Sequence, residues 1–234
     1  MEARPVRDRK VGRSNRLAPI YTFMGNKVDV YTIVVNPLAT NCHILYDIKT
    51  KDAVVFDPGG DVDEIYLEIG RLNFNVKMIL LTHAHVDHVA GARELKELLK
   101  CPIGMHPAEK FLLKTAPIQA PLFGMPVFRT PQIDFYIEDG QEIEAGSIKL
   151  KALHIPGHSP GSLCFYSPPV LISGDVLFQG SIGRTDLPGG DYESLINGVK
   201  EKIFTLPDDT IVYPGHGPST TVRDEKLYNP FFAE

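Results

Sequence analysis

Thr82-His83-Ala84-His85-Val86-Asp87-His88 places four potential metal ligands within six residues. The apolar run at 76–81 before it reads as a buried strand, and 89–100 after it reads as a helix. The cluster therefore sits on a strand-to-helix loop at the carboxyl end of a strand, where α/β sheets bind ligands. Three imidazoles and a carboxylate this close repel one another on protonation and gain little from packing, so the pattern points to metal. In an extended His-x-His, His83 and His85 point the same way and can grip one ion. Asp87 and His88, at the start of the helix, turn toward a second.

Other polar residues also follow apolar strands directly. His158 lies in Pro156-Gly157-His158-Ser159-Pro160-Gly161, Asp175 follows Leu171-Ile172-Ser173-Gly174, and His216 lies in Pro214-Gly215-His216-Gly217. Each is flanked by glycine or proline, which let the backbone turn sharply toward a shared centre. Five histidines and two aspartates are too many for one tetrahedral ion but suit two ions with Asp175 as the bridging carboxylate. The donors accept Zn best, and Fe or Mn as well.

The remaining histidines carry plainer readings. His43 lies inside a strand and reads as packing, and His106 reads as a cap on the following helix. His154, shortly before the Pro-Gly-His turn, is a candidate to support a ligand from behind. The stretch from Gly180 to Asp191 lacks P-loop spacing. It reads as a long turn with Arg184 paired to Asp186 and Asp191 capping the next helix. Direct contact of Arg184 and Asp186 with a substrate is the alternative, because the turn begins five residues after Asp175.

The surrounding sequence reads as scaffold. Residues 28–35, 42–46 and 53–56 form an antiparallel meander that ends at Asp57-Pro58-Gly59-Gly60. Asp61 is expected to cap a helix over 62–71. On the helix after the cluster, Leu95, Leu98 and Leu99 are expected to face inward. A helix near 108–114 leads into a long irregular segment reaching 136, and such segments are often functional. In the second half Ile143, 148–153, 163–166, 170–172 and 210–213 read as strands. Residues 192–204 read as a helix and 222–227 as a last helical turn or two. An apolar tail at 228–232 is expected to dock on its own chain or a partner.

Composition narrows the classes. With 43% hydrophobic and 23% charged residues the chain can bury a sizeable core. A net charge of −5 argues against nucleic acid as a partner, since binding phosphate backbones needs a basic surface. No run approaches the ~18 apolar residues of a membrane span. Cys42, Cys101 and Cys164 form no CxxC and no disulfide framework, which fits a reducing, cytoplasmic setting. Residues 1–27 read as an N-terminal extension carrying Arg4, Arg7, Arg9, Lys10, Arg13 and Arg16. Organellar import is the alternative reading of that basic segment. Residues 28–234 read as one domain of two similar halves.

The ordered set His83-x-His85-x-Asp87-His88, His158, Asp175, His216 resembles the signature of the metallo-β-lactamase superfamily over nearly the whole chain from about residue 28. Within it the sequence is similar to short, single-domain glyoxalase II proteins. The supporting stretches are Asp57-Pro58-Gly59-Gly60, Pro156-Gly157-His158-Ser159-Pro160-Gly161, Ser173-Gly174-Asp175, Gly183-Arg184-Thr185-Asp186-Leu187-Pro188-Gly189-Gly190-Asp191 and Tyr228-Asn229-Pro230-Phe231. The resemblance implies an α/β fold, an αββα sandwich of two mixed sheets flanked by helices, with a dinuclear site at one edge between the sheets. It implies that metal 1 takes His83, His85 and His158, that metal 2 takes Asp87, His88 and His216, and that Asp175 bridges. Asp87 would also act in catalysis by orienting the attacking water. The implied reaction is hydrolysis of a small-molecule thioester, S-D-lactoylglutathione, to D-lactate and glutathione. Separately, a monomer or small homo-oligomer is expected.

Long glyoxalase II enzymes grip glutathione with a C-terminal helical domain, whereas only 18 residues follow His216 here. The rival reading is a mononuclear-iron glutathione persulfide dioxygenase of the same fold, which shares a Gly-Arg-Thr-Asp stretch. The full second-metal set and Leu187-Pro188-Gly189-Gly190 favour the hydrolase. A β-lactamase is disfavoured because Asp175 stands where many of those enzymes use cysteine.

Overall fold

Alternating β-branched and apolar residues in the first half favour strands that bury both faces. The computed structural model describes residues 27–232. Its first half runs β1 (Val28–Val35), β2 (Thr40–Asp47), β3 (Asp52–Phe56), α1 (Val62–Arg71) and β4 (Asn75–Leu80). It continues with α2 (Val86–Val89), α3 (Ala92–Leu99), β5 (Ile103–Met105), α4 (Lys110–Gln119) and β6 (Phe135–Tyr136). The second half runs β7 (Glu142–Ala145), β8 (Ile148–His154), β9 (Leu163–Ser167), β10 (Val170–Gly174), β11 (Leu177–Phe178) and β12 (Ser181–Ile182). It closes with α5 (Tyr192–Gly198), β13 (Ile211–Pro214), β14 (Thr220–Thr221) and α6 (Val222–Tyr228).

Two six-stranded sheets result, ordered β1-β2-β3-β4-β5-β6 and β14-β13-β10-β9-β8-β7. Both are mixed. In the first, β1 to β3 pair antiparallel and β3 to β6 parallel. In the second, only β10 and β13 run parallel.

Side-chain alternation sorts the core into three layers. Val54, Phe56 and Leu80 of the first sheet meet Leu150, Leu163, Phe165 and Ile172 of the second. Their neighbours Ala53, Val55 and Ile79 point the other way, against Ile65 of α1, Leu95 of α3 and Leu112 of α4. Leu153, Cys164 and Leu171 likewise face Leu195 of α5 and Val222 of α6. Helices thus cover both outer faces, and the order is αββα. Phe56 and Phe165 lie 5.3 Å apart between centroids in the central layer. Burying each such ring stabilises the fold by about 1.5–3 kcal/mol. Cys42, Cys101 and Cys164 are all buried free thiols.

Several local expectations need correction. Asp61 does not cap α1 with its side chain. Its carboxylate accepts from the backbone and side-chain amides of Asn36, at 2.8 and 3.0 Å, and so ties the β1–β2 turn to the helix. The expected helix at 89–100 is interrupted. One turn, α2, precedes α3, and between them Gly91 donates to the Pro58 carbonyl at 3.0 Å. Leu98 is 41% exposed, because the i, i+4 pair Leu95 and Leu99 takes the inward stripe. α4 runs through Pro117 to Gln119, beyond the expected end near 114. After α5 the chain widens into a π-helical stretch at Val199–Ile203. The apolar tail docks on its own chain: Phe232 is buried edge-on to Phe204, 4.8 Å between centroids. The N-terminal extension at 1–27 lies outside the described residues except for Lys27.

Candidate metal centre

The His/Asp loop leaves the carboxyl end of β4 and is fastened on both sides. Thr82 donates through its amide and hydroxyl to Asp57, at the end of β3, at 2.8 and 2.6 Å. Its carbonyl accepts from Leu163 of the second sheet at 2.8 Å. His85 is extended, with φ −67° and ψ 152°, before the chain turns into α2. That change of direction separates His83 and His85 from Asp87 and His88.

Two clusters form from residues far apart in sequence. His83, His85 and His158 form one group, and Asp87, His88 and His216 form another. In the first, His158 Nε2 is 3.2 Å from His83 Nε2 and 2.9 Å from His85 Nδ1. In the second, Asp87 Oδ2 is 3.1 Å from His216 Nε2 and 3.5 Å from His88 Nε2. Asp175 faces both groups. Its Oδ2 is 3.6 Å from His158 Nε2 and 3.7 Å from His216 Nε2, and its Oδ1 is 3.4 Å from His88 Nε2.

The separations within the two groups are close to those that ions need, and two of the three Asp175 contacts are a few tenths of an ångström wider. Ligand atoms about 2.0–2.1 Å from a metal lie about 2.9–3.4 Å from one another in octahedral or tetrahedral arrangements. The polar atoms also lack other partners. His88 Nε2 and Asp175 Oδ1 are buried without a hydrogen bond. Such orphaned groups cost about 1–3 kcal/mol each unless something binds them.

The opposite ring nitrogens set the tautomers. His158 Nδ1 faces the carbonyl of Arg184 at 2.9 Å, so that nitrogen carries the proton. His88 Nδ1 lies 3.0 Å from the Asp57 carboxylate and donates to it. Thr82 Oγ1 already donates to Asp57, so at 3.0 Å it accepts from His83 Nδ1. In their neutral form all three rings therefore present a lone pair on Nε2, the form a metal needs. Asp57, His83 and His88 also lie close together. Asp57 is already hydrogen-bonded to His88 and Thr82, and His83 Nδ1 to Thr82, so these groups back the site rather than form a third one.

A family model described as the metallo-beta-lactamase superfamily matches residues 35–216. The chain belongs to this superfamily. Hydroxyacylglutathione hydrolase GloC of Haemophilus influenzae is 39% identical over 213 residues, which cover 87% of this chain and 98% of that protein. The crystal structure of BLEG-1, a B3 metallo-beta-lactamase, has a TM-score of 0.83 at 38% identity and covers 88% of this chain and 100% of its own. TTHA1623 in a di-iron-bound form has a TM-score of 0.79 at 36% identity, covering 86% and 100% respectively. The chain is thus a metallo-hydrolase superfamily member with His/Asp groups that suit a dinuclear site.

Charge in this superfamily site is divided between its two groups. Burial, reinforced by the neighbouring imidazoles, drives His83 far below the ordinary histidine range and His85 to about 4. Burial also lowers His158. These three are neutral at pH 7, ready to ligate. The second group behaves oppositely. Burial alone would lower His88 and His216, but the carboxylates of Asp87 and Asp175 outweigh it and raise both. Burial would raise Asp87 and Asp175, but His88, with His216 and His158 near them, holds both carboxylates down. The two carboxylates therefore demand positive charge, which protons supply until a cation replaces them.

The other candidates take separate places. His43 is buried, with Nε2 2.9 Å from the Pro214 carbonyl and Nδ1 2.9 Å from Thr32 Oγ1. His106 accepts from the Ala108 amide at the head of a 3-10 turn. His154 stacks on His106, 4.0 Å between centroids, and reaches the Pro160 carbonyl at 2.9 Å. Arg184 and Asp186 pair with each other at 2.8 Å on the surface. Among the described residues, the hydrogen bond from this pair to a site residue is the one between the Arg184 carbonyl and His158.

Four residues that the sequence did not assign to the site support it. Asp57 holds Thr82 and His88. Thr40 donates to Asp87 Oδ2 at 2.9 Å. Asn41 donates to the carbonyls of Pro214 and Gly217, both at 2.9 Å, bracketing His216. Glu109 reaches the backbone between His83 and His85. Asp57 alone had a signal, as the acidic residue that ends a strand before a glycine turn.

Proposed function

We propose that the protein is a dinuclear-metal hydrolase of thioesters, with S-D-lactoylglutathione as its substrate. The observation that carries this reading is Asp175 facing two three-residue ligand groups at once. Similarity to GloC over nearly its full length supports the thioester. His83, His85 and His158 would hold one ion, Asp87, His88 and His216 the other, and Asp175 would bridge them. Zn is the preferred metal by donor set, with Fe and Mn as alternatives. Two bound cations would lower the pKa of a shared water toward neutrality and polarise the thioester carbonyl.

The chain's own residues prepare that chemistry. Thr82, Asp57 and the Arg184 carbonyl keep three imidazoles in the Nε2 lone-pair tautomer. Thr40 orients the Asp87 carboxylate, whose role in catalysis would be to align the attacking water. A thiolate leaves readily, so the scheme needs no strong general acid.

A four-substrate panel with metal analysis tests the proposal. The expected result is two metal ions per chain, with hydrolysis of S-D-lactoylglutathione faster than of a β-lactam. One iron per chain with oxygen uptake on glutathione persulfide would sink it in favour of the dioxygenase. Preferential cleavage of the β-lactam would instead bring the chain's activity in line with the name of BLEG-1. Turnover of other acyl thioesters alone would keep the reaction and change the substrate.

A further inference from the structure

We infer that Glu109 is a positioning residue that sets the spacing of the first ligand group alone. This rests on the two-metal reading above. Glu109 is completely buried. Its Oε2 accepts from the Ala84 amide at 2.7 Å. Its Oε1 accepts from the Gly161 amide at 2.7 Å and from Ser159 Oγ at 2.8 Å. Ala84 is the residue between His83 and His85, and Ser159 follows His158. One carboxylate thus spans the two loops that carry all three imidazoles.

The topology makes this reach available. β4 and β5 are parallel neighbours, so the turn at Pro107–Glu109 after β5 lies beside the loop after β4. Ser159 and Ser162 add a further link, with their hydroxyls 2.7 Å apart, which stiffens the His158 turn. The second group is supported by other residues. Thr40 holds Asp87, Asp57 holds His88, and Asn41 brackets His216.

Three donors converge on Glu109, and an acceptor-only carboxylate satisfies them all. In Glu109→Gln one oxygen becomes an amide donor. That donor must face either the Ala84 N–H or the Ser159 and Gly161 donors, and the loops spread. Loss of such support costs metal affinity about 10–100-fold. A general loosening of the fold would weaken both groups together, whereas this geometry weakens one.

The experiment isolates each group by removing a ligand from the other. Zn²⁺ affinity is measured by competition with a chelator in His216→Ala, which keeps the first group, and in His158→Ala, which keeps the second. Adding Glu109→Gln should weaken binding about 10–100-fold in the first background and by under about threefold in the second. Apo-protein melting checks that each variant is folded. Should Glu109→Gln not fold, Ser159→Ala carries the test, because it deletes one donor and leaves the carboxylate; it should weaken the first group about threefold to tenfold. Equal weakening in both backgrounds, or none in His216→Ala, overturns the inference while the two-metal reading stands. If His216→Ala itself takes up no Zn²⁺, both fall.

Discussion

Replacing Gly59 with alanine tests how tightly the metal loop is fitted. A Cβ built on Gly59 would lie 1.5 Å from the carbonyl oxygen of Asp87 and 2.5 Å from its carbonyl carbon. Real Cβ atoms essentially never come within 3.0 Å of such a neighbour. The obstacle is backbone, so no rotamer relieves it, and one segment must retreat by about 1.5 Å. Asp87 Oδ2 now stands 3.1 Å from His216 Nε2. Two ligands of one ion can be at most about 4.2 Å apart, twice a metal–ligand bond. A retreat of that size along the line between them exceeds the limit. Gly59→Ala should therefore weaken the second ion about a hundredfold and lower kcat/KM at least as much, while the first ion stays bound. Metal content after dialysis, with a chelator titration, reads the loss. The control is Gly70→Ala in α1, where nothing lies within 4 Å, and which should be neutral or stabilise by about 0.5–1 kcal/mol. Wild-type affinity for both ions in Gly59→Ala would refute the reasoning.

Acid should destabilise the fold through His43. Burial holds this ring at about 4, against 6.5 in the unfolded chain. Between those values only the unfolded chain takes up the proton. The contribution is complete above about pH 6.5 and is lost as pH falls toward 4, amounting to about 3 kcal/mol. Imidazole NMR checks this residue directly, and a His43 titration near 6.5 in the folded protein contradicts it. Phe232→Ala should cost about 3 kcal/mol in urea unfolding by emptying the site against Phe204, with metal content unchanged. Stripping metal with a chelator should lower the melting temperature, since it returns His88 Nε2 and Asp175 Oδ1 to their unpartnered state; added Zn²⁺ should restore it in a concentration-dependent way. An unchanged melting temperature would mean that no ion had been holding these atoms.

The strands and the positions of the clustered histidines and aspartates were legible because both follow local patterns. Alternation along 28–35 marked β1 to the residue, and apolar runs followed by glycine, proline and histidine marked the strand ends that carry His158 and His216. Helix ends were less legible. Asp61 looks like a cap, but the competing amides of Asn36, 25 residues away, claim its carboxylate. The break before α3 depends on Gly91 meeting the Pro58 carbonyl, which no window of sequence contains.

By itself the sequence determined which residues offer metal-binding atoms, because ligand chemistry belongs to the residue. It also determined that they fall at strand ends, because periodicity belongs to the neighbouring residues. Only the tertiary structure decided how they divide. The β4–β5 pairing brings Glu109 under His83 and His85, the contact between sheets brings His158 beside them, and Asp175 comes to face both groups. Those distances of about 3 Å join positions tens of residues apart, and packing of the two sheets, not local propensity, sets them.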